Sequence, residues 1–382
     1  GGTYYLPYQL HATEDQLHRA YPGVLEYFEI KKVYDPDNKF TNKLWDKYYS
    51  EEKLNFYKQE KVISDVASTT NDYYRVFDNA YLALPEWYIV YSADEYTVTL
   101  RDGLPTDFSY FGAIKDYWRQ HDEVLNLTKD SVNNNEDYLT VLSVIGWSFT
   151  VENIIKGIYE NSIGRFTEWL AGDTQVAEDI YAYKVANDYA TFIYDYPWYD
   201  FSYSSALIGV WTLDNEKDYT WLQDVRRLER KLILTVEYGI KAIYSSVIAF
   251  ATHTKFGVQD DVIYAVVTRD DGRNYELIKA PHYHPFTRLL LSKLEEESNN
   301  KDFRIINISG NNKITFTYRD QAGAVAVDGT KEILRDAEIV SIKNNEPEYL
   351  DRITVETEVK DIAGVYRRLQ EKNISIDHFY DY

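Results

Sequence analysis

Cysteine and methionine are both absent from the 382 residues. The first absence excludes disulfides, thiolate nucleophiles and cysteine-ligated metals. Lacking both is unusual for a natural reading frame of this length; an internal fragment, a redesigned chain and a map-derived sequence all fit. Cations are also scarce: 41 Lys and Arg against 62 Asp and Glu leave a net charge of −21. Nucleic acid is thereby excluded as a partner and an anionic membrane surface disfavoured, because phosphate binding needs clustered Lys and Arg. The glycines are scattered, with no Gly-rich loop between a strand and a helix, so no dinucleotide fingerprint exists. No signal peptide is visible, and the sequons at Asn126, Asn307 and Asn373 read as chance matches.

What is abundant is aromatic: 37 Tyr and 8 Trp, residues suited to surfaces with one apolar and one wet side. The first fifty residues hold an aromatic stretch, Thr3 to His11, that reads as an extended strand interrupted at Pro7. Thr13 and Gln16 have the spacing of a capping box opening a helix that Tyr21-Pro22 stops. A second helix, Val24 to Val33, closes at Tyr34-Asp35-Pro36, with Phe40 and Leu44 following as apolar anchors.

This order of parts, from Gly1-Gly2 through the strand to Tyr21-Pro22 and Lys31-Lys32-Val33-Tyr34-Asp35-Pro36 ending at Phe40, resembles the closing segment of FAD-linked oxidases of the vanillyl-alcohol-oxidase type. It is most similar to the decaprenylphosphoryl-ribose oxidase branch, and the remainder resembles uncharacterised bacterial proteins. The resemblance covers about the first fifty residues. It implies oxidation of an alcohol or sugar-like hydroxyl, with FAD held mainly by a domain or subunit upstream, and a polypeptide that is a fragment or one part of a larger or split protein. It implies catalytic-site positions for Tyr5, Tyr8, Gln9 and His11. Tyr8 stands where the branch carries a Lys, which removes a cation and puts that branch's lipid-linked substrate in doubt. The alternative is that all four are ordinary strand residues of a cap domain.

Between about Tyr81 and Gly257 the chain reads as helical and duplicated. Pro85-Glu86-Trp87-Tyr88, Phe108-Ser109-Tyr110, Trp118 and Thr150-Val151-Glu152 find counterparts in Pro197-Trp198-Tyr199, Phe201-Ser202-Tyr203, Trp211 and Thr235-Val236-Glu237. The Phe-Ser-Tyr blocks are offset by 93 residues and the Thr-Val-Glu blocks by 85. Each half places Glu and Lys at i and i+4 on an otherwise apolar helix, Glu152 with Lys156 and Glu237 with Lys241. Two readings stand: intrahelical ion pairs cross-paired about a pseudo-two-fold axis, or a polar ligand pocket between the repeats. A di-metal bundle lacks its Glu-x-x-His partners. Leu139 to Val151 is too short to span a membrane, and Leu232 to Ala251 carries a mid-segment Glu and Lys. Soluble, cytoplasmic packing is the expectation, with peripheral membrane or lipid contact second.

From Val262 the period changes to strands, with helices at 285–297 and 361–372 and a hairpin around Gly310-Asn311-Asn312. His282 and His284 fall on one side of a short strand and His378 near the end, without a third ligand in sequence, so no metal is expected.

The expected architecture is multidomain α+β: an oxidase cap tail at 1–60, a helical domain at 61–257 duplicated over about 84–160 and 196–245, and a ferredoxin-like or ACT-like sandwich at 258–382. Such a chain is not catalytic alone. A non-catalytic scaffold or partner-binding subunit is the alternative function, a lipid-binding peripheral module a further one, and a homo-oligomer a further partner state.

Overall fold

The computed structural model describes residues 12–50, 78–129, 136–213, 218–256, 262–269, 274–300, 303–321, 334–346 and 350–380, with a few positions between 54 and 74 and one at 323. Tyr5, Tyr8, Gln9 and His11 lie outside the described residues. The chain divides into two compact units, residues 1–73 and 74–382.

In the first unit the capping box forms. Gln16 N–H donates to Thr13 Oγ1 at 3.3 Å and Thr13 N–H to Gln16 Oε1 at 2.9 Å, opening α1 (Glu14–Ala20). Helix α2 (Val24–Tyr34) ends at Asp35, whose carboxylate accepts from Lys31 Nζ at 2.6 Å and from the amides of Lys39 and Phe40 at 2.7 and 2.9 Å. The Asp-Pro turn therefore binds its own helix and loop. Helix α3 (Lys43–Tyr48) adds Trp45, which stacks on Tyr49 and takes Phe28 edge-on, with Leu17 and Tyr48 completing the core. Phe40, expected as an anchor, faces outward.

The second unit opens with α4 (Asp78–Asp102), which contains Pro85. A short 3₁₀ turn (Pro105–Asp107) leads to α5 (Tyr110–Thr128) and α6 (Glu136–Tyr159). One π turn (Glu160–Gly164) continues α6 into α7 (Arg165–Leu170). Then come α8 (Ala177–Asp195), a second 3₁₀ turn (Trp198–Asp200), α9 (Tyr203–Trp211) and α10 (Trp221–Phe256). The apolar runs 139–151 and 232–251 lie inside the longer helices α6 and α10, which carry the Glu-Lys spacings as expected.

Strands β1 (Val262–Arg269), β2 (Asn274–Pro281) and β3 (Arg304–Ile308) form an antiparallel sheet in the order β2-β1-β3. Strands β4 (Lys313–Gln321), β5 (Ala337–Glu346), β6 (Leu350–Glu358) and β7 (Ile376–Phe379) form a second, in the order β5-β6-β4-β7. Helices α11 (His284–Asn299) and α12 (Ile362–Glu371) cover this layer. The coarse class is thus α+β, with two small antiparallel sheets among the described residues.

Two expectations change here. Strands β3 and β4 do not pair as a hairpin; they join different sheets, and an isolated bridge, Ile308 to Asn311, closes the turn between them. Ser309 and Gly310, at φ 50 and 81, turn the chain from one sheet to the other. His282 is not on a strand either, since β2 ends at Pro281 and His284 begins α11.

The change of period near residue 257 separates no two cores. Ala80, Leu84, Trp87 and Tyr91 of α4 belong to the same buried cluster as Ile263, Phe316, Val355 and Phe379 of the sheets. A helix packed directly on a sheet buries one continuous apolar layer, and residues 74–382 behave as one compact unit.

Candidate functional site

The recurring sequence blocks make matching side-chain contacts. Trp118 Nε1 donates to Thr150 Oγ1 in the first half and Trp211 Nε1 to Thr235 Oγ1 in the second. Tyr96 meets Phe108 at 5.1 Å between ring centroids, and Tyr189 meets Phe201 at 5.2 Å, both edge-on. Residues 96 and 189 keep the 93-residue offset of the Phe-Ser-Tyr blocks, as do the two 3₁₀ turns. Helix α8 is therefore the counterpart of α4, and the halves begin earlier than 84 and 196. The Pro85–Tyr88 match to Pro197–Tyr199 is not structural: Pro85 lies inside a helix and Pro197 caps a 3₁₀ turn. Tyr96 and Tyr189 escaped the sequence reading, although the common offset marks them.

The four charged residues of the repeated helices converge. Lys156 Nζ lies 2.9 Å from Glu237 Oε1, and Lys241 Nζ lies 2.8 Å from Glu152 Oε1 and 3.1 Å from Glu237 Oε1. The pairs 152–241 and 156–237 run in opposite order, as does the Glu160–Arg230 pair, so α6 and α10 are antiparallel. Each half neutralises the other across the pseudo-two-fold, and Lys241 keeps its intrahelical bond as well. Burial acts against the charges of Lys156, Glu237 and Lys241, yet pairing outweighs it. Lys156 and Lys241 hold the Glu237 carboxyl well below the usual carboxylate range. Glu237 and Tyr96 raise Lys156, and Glu152 with Glu237 raises Lys241. The Lys156 ammonium also sits 4.6 Å from the Tyr96 ring centre.

These groups line a cavity of about 120 Å³ enclosed by α4, α6, α8 and α10, with Tyr110 and Tyr203 contributed by α5 and α9. Five phenols are among its lining groups: Tyr96, Tyr110, Tyr189, Tyr203 and Tyr238. Burial pushes all five phenols above their ordinary range, so they are neutral hydrogen-bonding groups.

Beyond Lys156 a second ionic layer braces the same helices. Arg227 grips Glu178 through two bonds of 3.0 and 3.1 Å, Arg230 reaches Glu160 at 2.7 Å, and Arg226 reaches Asp179 at 3.3 Å. The π turn enables this: it leaves Gly164 O and Thr167 Oγ1 within 3.0 and 2.8 Å of Arg226 Nη1.

The opposite faces of α6 and α10 are apolar and exposed. Trp147, Val151, Ile155, Ile158, Phe166 and Trp169 follow one another at helical spacing along α6 and α7. Trp221, Leu228, Leu232, Val236, Ile240, Ile243 and Phe250 do the same along α10. Residues 139–170 and 221–250 contain windows of mean hydropathy 1.2 and 1.4 that are only 28% and 17% buried, unlike core helices of a soluble fold.

No group of three or more acidic or histidine ligands for a metal occurs among the described residues. The described residues do not fit a flavin either: the strand-to-helix passages β2–α11 and β6–α12 contain no glycine that would let a pyrophosphate approach backbone amides. No family model, no curated protein and no solved structure matches the chain.

Proposed function

We propose that this chain is the C-terminal part of an FAD-dependent oxidoreductase acting on an alcohol or sugar-like hydroxyl, and that residues 74–382 rest on a lipid surface through α6 and α10. The first clause is supported by the resemblance of residues 1–50. The flavin belongs to a domain or subunit upstream, and no chemical step is assigned to the described residues. The second clause is carried by one observation: α6, continued through the π turn into α7, and α10 turn paired charges inward and mostly apolar side chains outward.

The stripe from Val141 to Trp169 runs about 42 Å and that from Trp221 to Phe250 about 44 Å, at ~1.5 Å per residue. Among the described residues most of their outward positions are apolar, with Trp147, Trp169 and Trp221 near the ends; the exposed charges, Arg165 and Asp224, lie in the end regions of the stripes. A bilayer-spanning bundle would be apolar all round. Here α5 and α8 expose Lys115, Asp122, Lys184 and Asp188, so the apolar surface is one-sided and lies on the membrane instead of crossing it. The acidic surface favours zwitterionic over anionic lipid. In the same reading the C-terminal layer is ferredoxin-like. That is supported by the order β5-β6-β4-β7 with α12 between β6 and β7, while the sheet β2-β1-β3 stands outside it.

Flotation with phosphatidylcholine vesicles tests the lipid clause. The chain is expected to rise with the vesicles, and an Ile155→Asp/Ile240→Asp variant with unchanged circular dichroism to remain below. A monomer that stays in the soluble fraction overturns it, and so does a dimer whose assembly the same variant abolishes, because a second copy then covers the face. The oxidase clause predicts that the gene product including the upstream flavin domain is yellow and is bleached by an alcohol; a colourless product overturns it.

A further inference from the structure

The cavity between the repeats has a chemistry that selects its occupant. Both lysine ammoniums are committed to the Oε1 atoms of Glu152 and Glu237. The second oxygens, Oε2 of Glu152 and of Glu237, accept no hydrogen bond among the described residues. Carboxylate oxygens are strong acceptors, and both glutamates line a space shared with five tyrosines. The lining charge is balanced, two Lys against two Glu, so a cation meets the ammoniums and an anion meets the carboxylates at equal cost. An uncharged donor of several O–H groups meets neither. It can donate to the open carboxylate oxygens and lay its C–H faces on the tyrosine rings.

Size narrows the class. The cavity measures about 120 Å³, and a single water needs on the order of 10–15 Å³ of such space. A molecule of several heavy atoms fits, whereas a whole nucleotide or lipid does not.

Side-chain exposure locates the entrance. It falls from 43% at Glu152 to 25% at Lys241 and to 17% and 18% at Glu237 and Lys156. Glu152 follows Val151, on the exposed apolar face of α6. The mouth thus lies at the seam of α6 and α10, beside the surface assigned above to lipid.

We propose that this cavity binds a small uncharged polyol group of glycerol size, donated to by neither lysine and held through its own hydroxyls on Glu152 and Glu237. The group arrives as the free polyol or as the head of a neutral monoacylglycerol. Only the second source rests on the lipid-surface reading.

Saturation-transfer NMR on the full chain tests this, with glycerol as the free probe and 1-octanoylglycerol below its micelle concentration as the lipid-borne one. Transfer to the glycerol protons of either probe is expected, with phosphocholine and inorganic phosphate giving none. Ala186→Phe, which fills the cavity from α8, is expected to weaken binding at least tenfold. Glu152→Gln at the more exposed mouth replaces one acceptor oxygen by a donor and is expected to weaken it at least threefold, which keeps the test intact if the filled variant fails to fold. Transfer to glycerol alone identifies the free source, and transfer requiring the acyl chain identifies the lipid source. Absence of transfer from both probes, or transfer undiminished in folded variants, overturns the site. Flotation is read separately, so loss of one result leaves the other standing.

Discussion

The indole N–H of Trp118 donates to Thr150 Oγ1 at 2.9 Å, joining α5 to α6. The same bond at 3.0 Å joins α9 to α10 through Trp211 and Thr235. The environments differ: Thr150 is buried, whereas Trp211 is 57% exposed. Thr150→Val is expected to cost about 1 kcal/mol by stranding a donor, and Thr235→Val clearly less, since water can replace the lost acceptor. Urea unfolding of the two variants compares them directly. Equal losses would contradict the difference in solvent access.

Glu237 holds two ammoniums, and Glu152 holds one at the mouth. Glu237→Gln leaves Lys156 without its carboxylate deep between helices, an expected loss of about 3 kcal/mol. Glu152→Gln is expected to lose less than about 1 kcal/mol, because Lys241 keeps Glu237 and water reaches the site. Denaturant midpoints with unchanged slopes would establish the order.

Two helical glycines should respond to alanine with opposite signs. At Gly146 a Cβ would land on the Tyr117 ring, which is fixed by its hydroxyl bond to Leu142 O at 2.8 Å. At Gly239 nothing lies within 4 Å. Gly239→Ala is expected to gain up to about 1 kcal/mol of helix propensity. Gly146→Ala is expected to lose about 1–3 kcal/mol by overpacking. Thermal unfolding of both variants reads the two signs.

Acid should loosen the first unit through Asp35. Lys31, then the amides of Phe40 and Lys39, hold this carboxyl at about 2, below its ordinary 3.8. A depressed carboxylate stabilises the fold fully above its unfolded pKa and loses that contribution as pH falls through the folded value. The window therefore lies between about pH 4 and pH 2. Trp45 fluorescence should follow it, and Asp35→Asn should flatten that part of the profile.

Much of the helical order was legible because the repeat uses conspicuous residues. Phe-Ser-Tyr, Trp and Thr-Val-Glu recur in order and occupy matching positions. The start of each half was not legible: Pro85 suggested a boundary, yet it sits within α4, while Tyr96 and Tyr189 looked like two of many tyrosines. Sidedness was also hidden. The pattern of α10 shows a charged and an apolar face, but only packing reveals that the charged one points inward. The β3–β4 turn misled for a related reason, since Gly310 permits a tight reversal and equally a crossing between sheets. The positions assigned by resemblance, Tyr5, Tyr8, Gln9 and His11, lie outside the described residues.

The crossed ion pairs carry one more consequence. Glu152 finds its cation on the second half and Lys156 its anion there; Arg230 pairs with Glu160 across the divide and Arg226 reaches Gly164 O and Thr167 Oγ1, while Arg227 stays within the second half on Glu178. The halves meet as two subunits would, tethered by the exposed Gly172-Asp173-Thr174 linker. Cleaved there, the chain should behave as a fragment pair whose pieces hold together without a covalent bond, each completing the charge balance the other lacks.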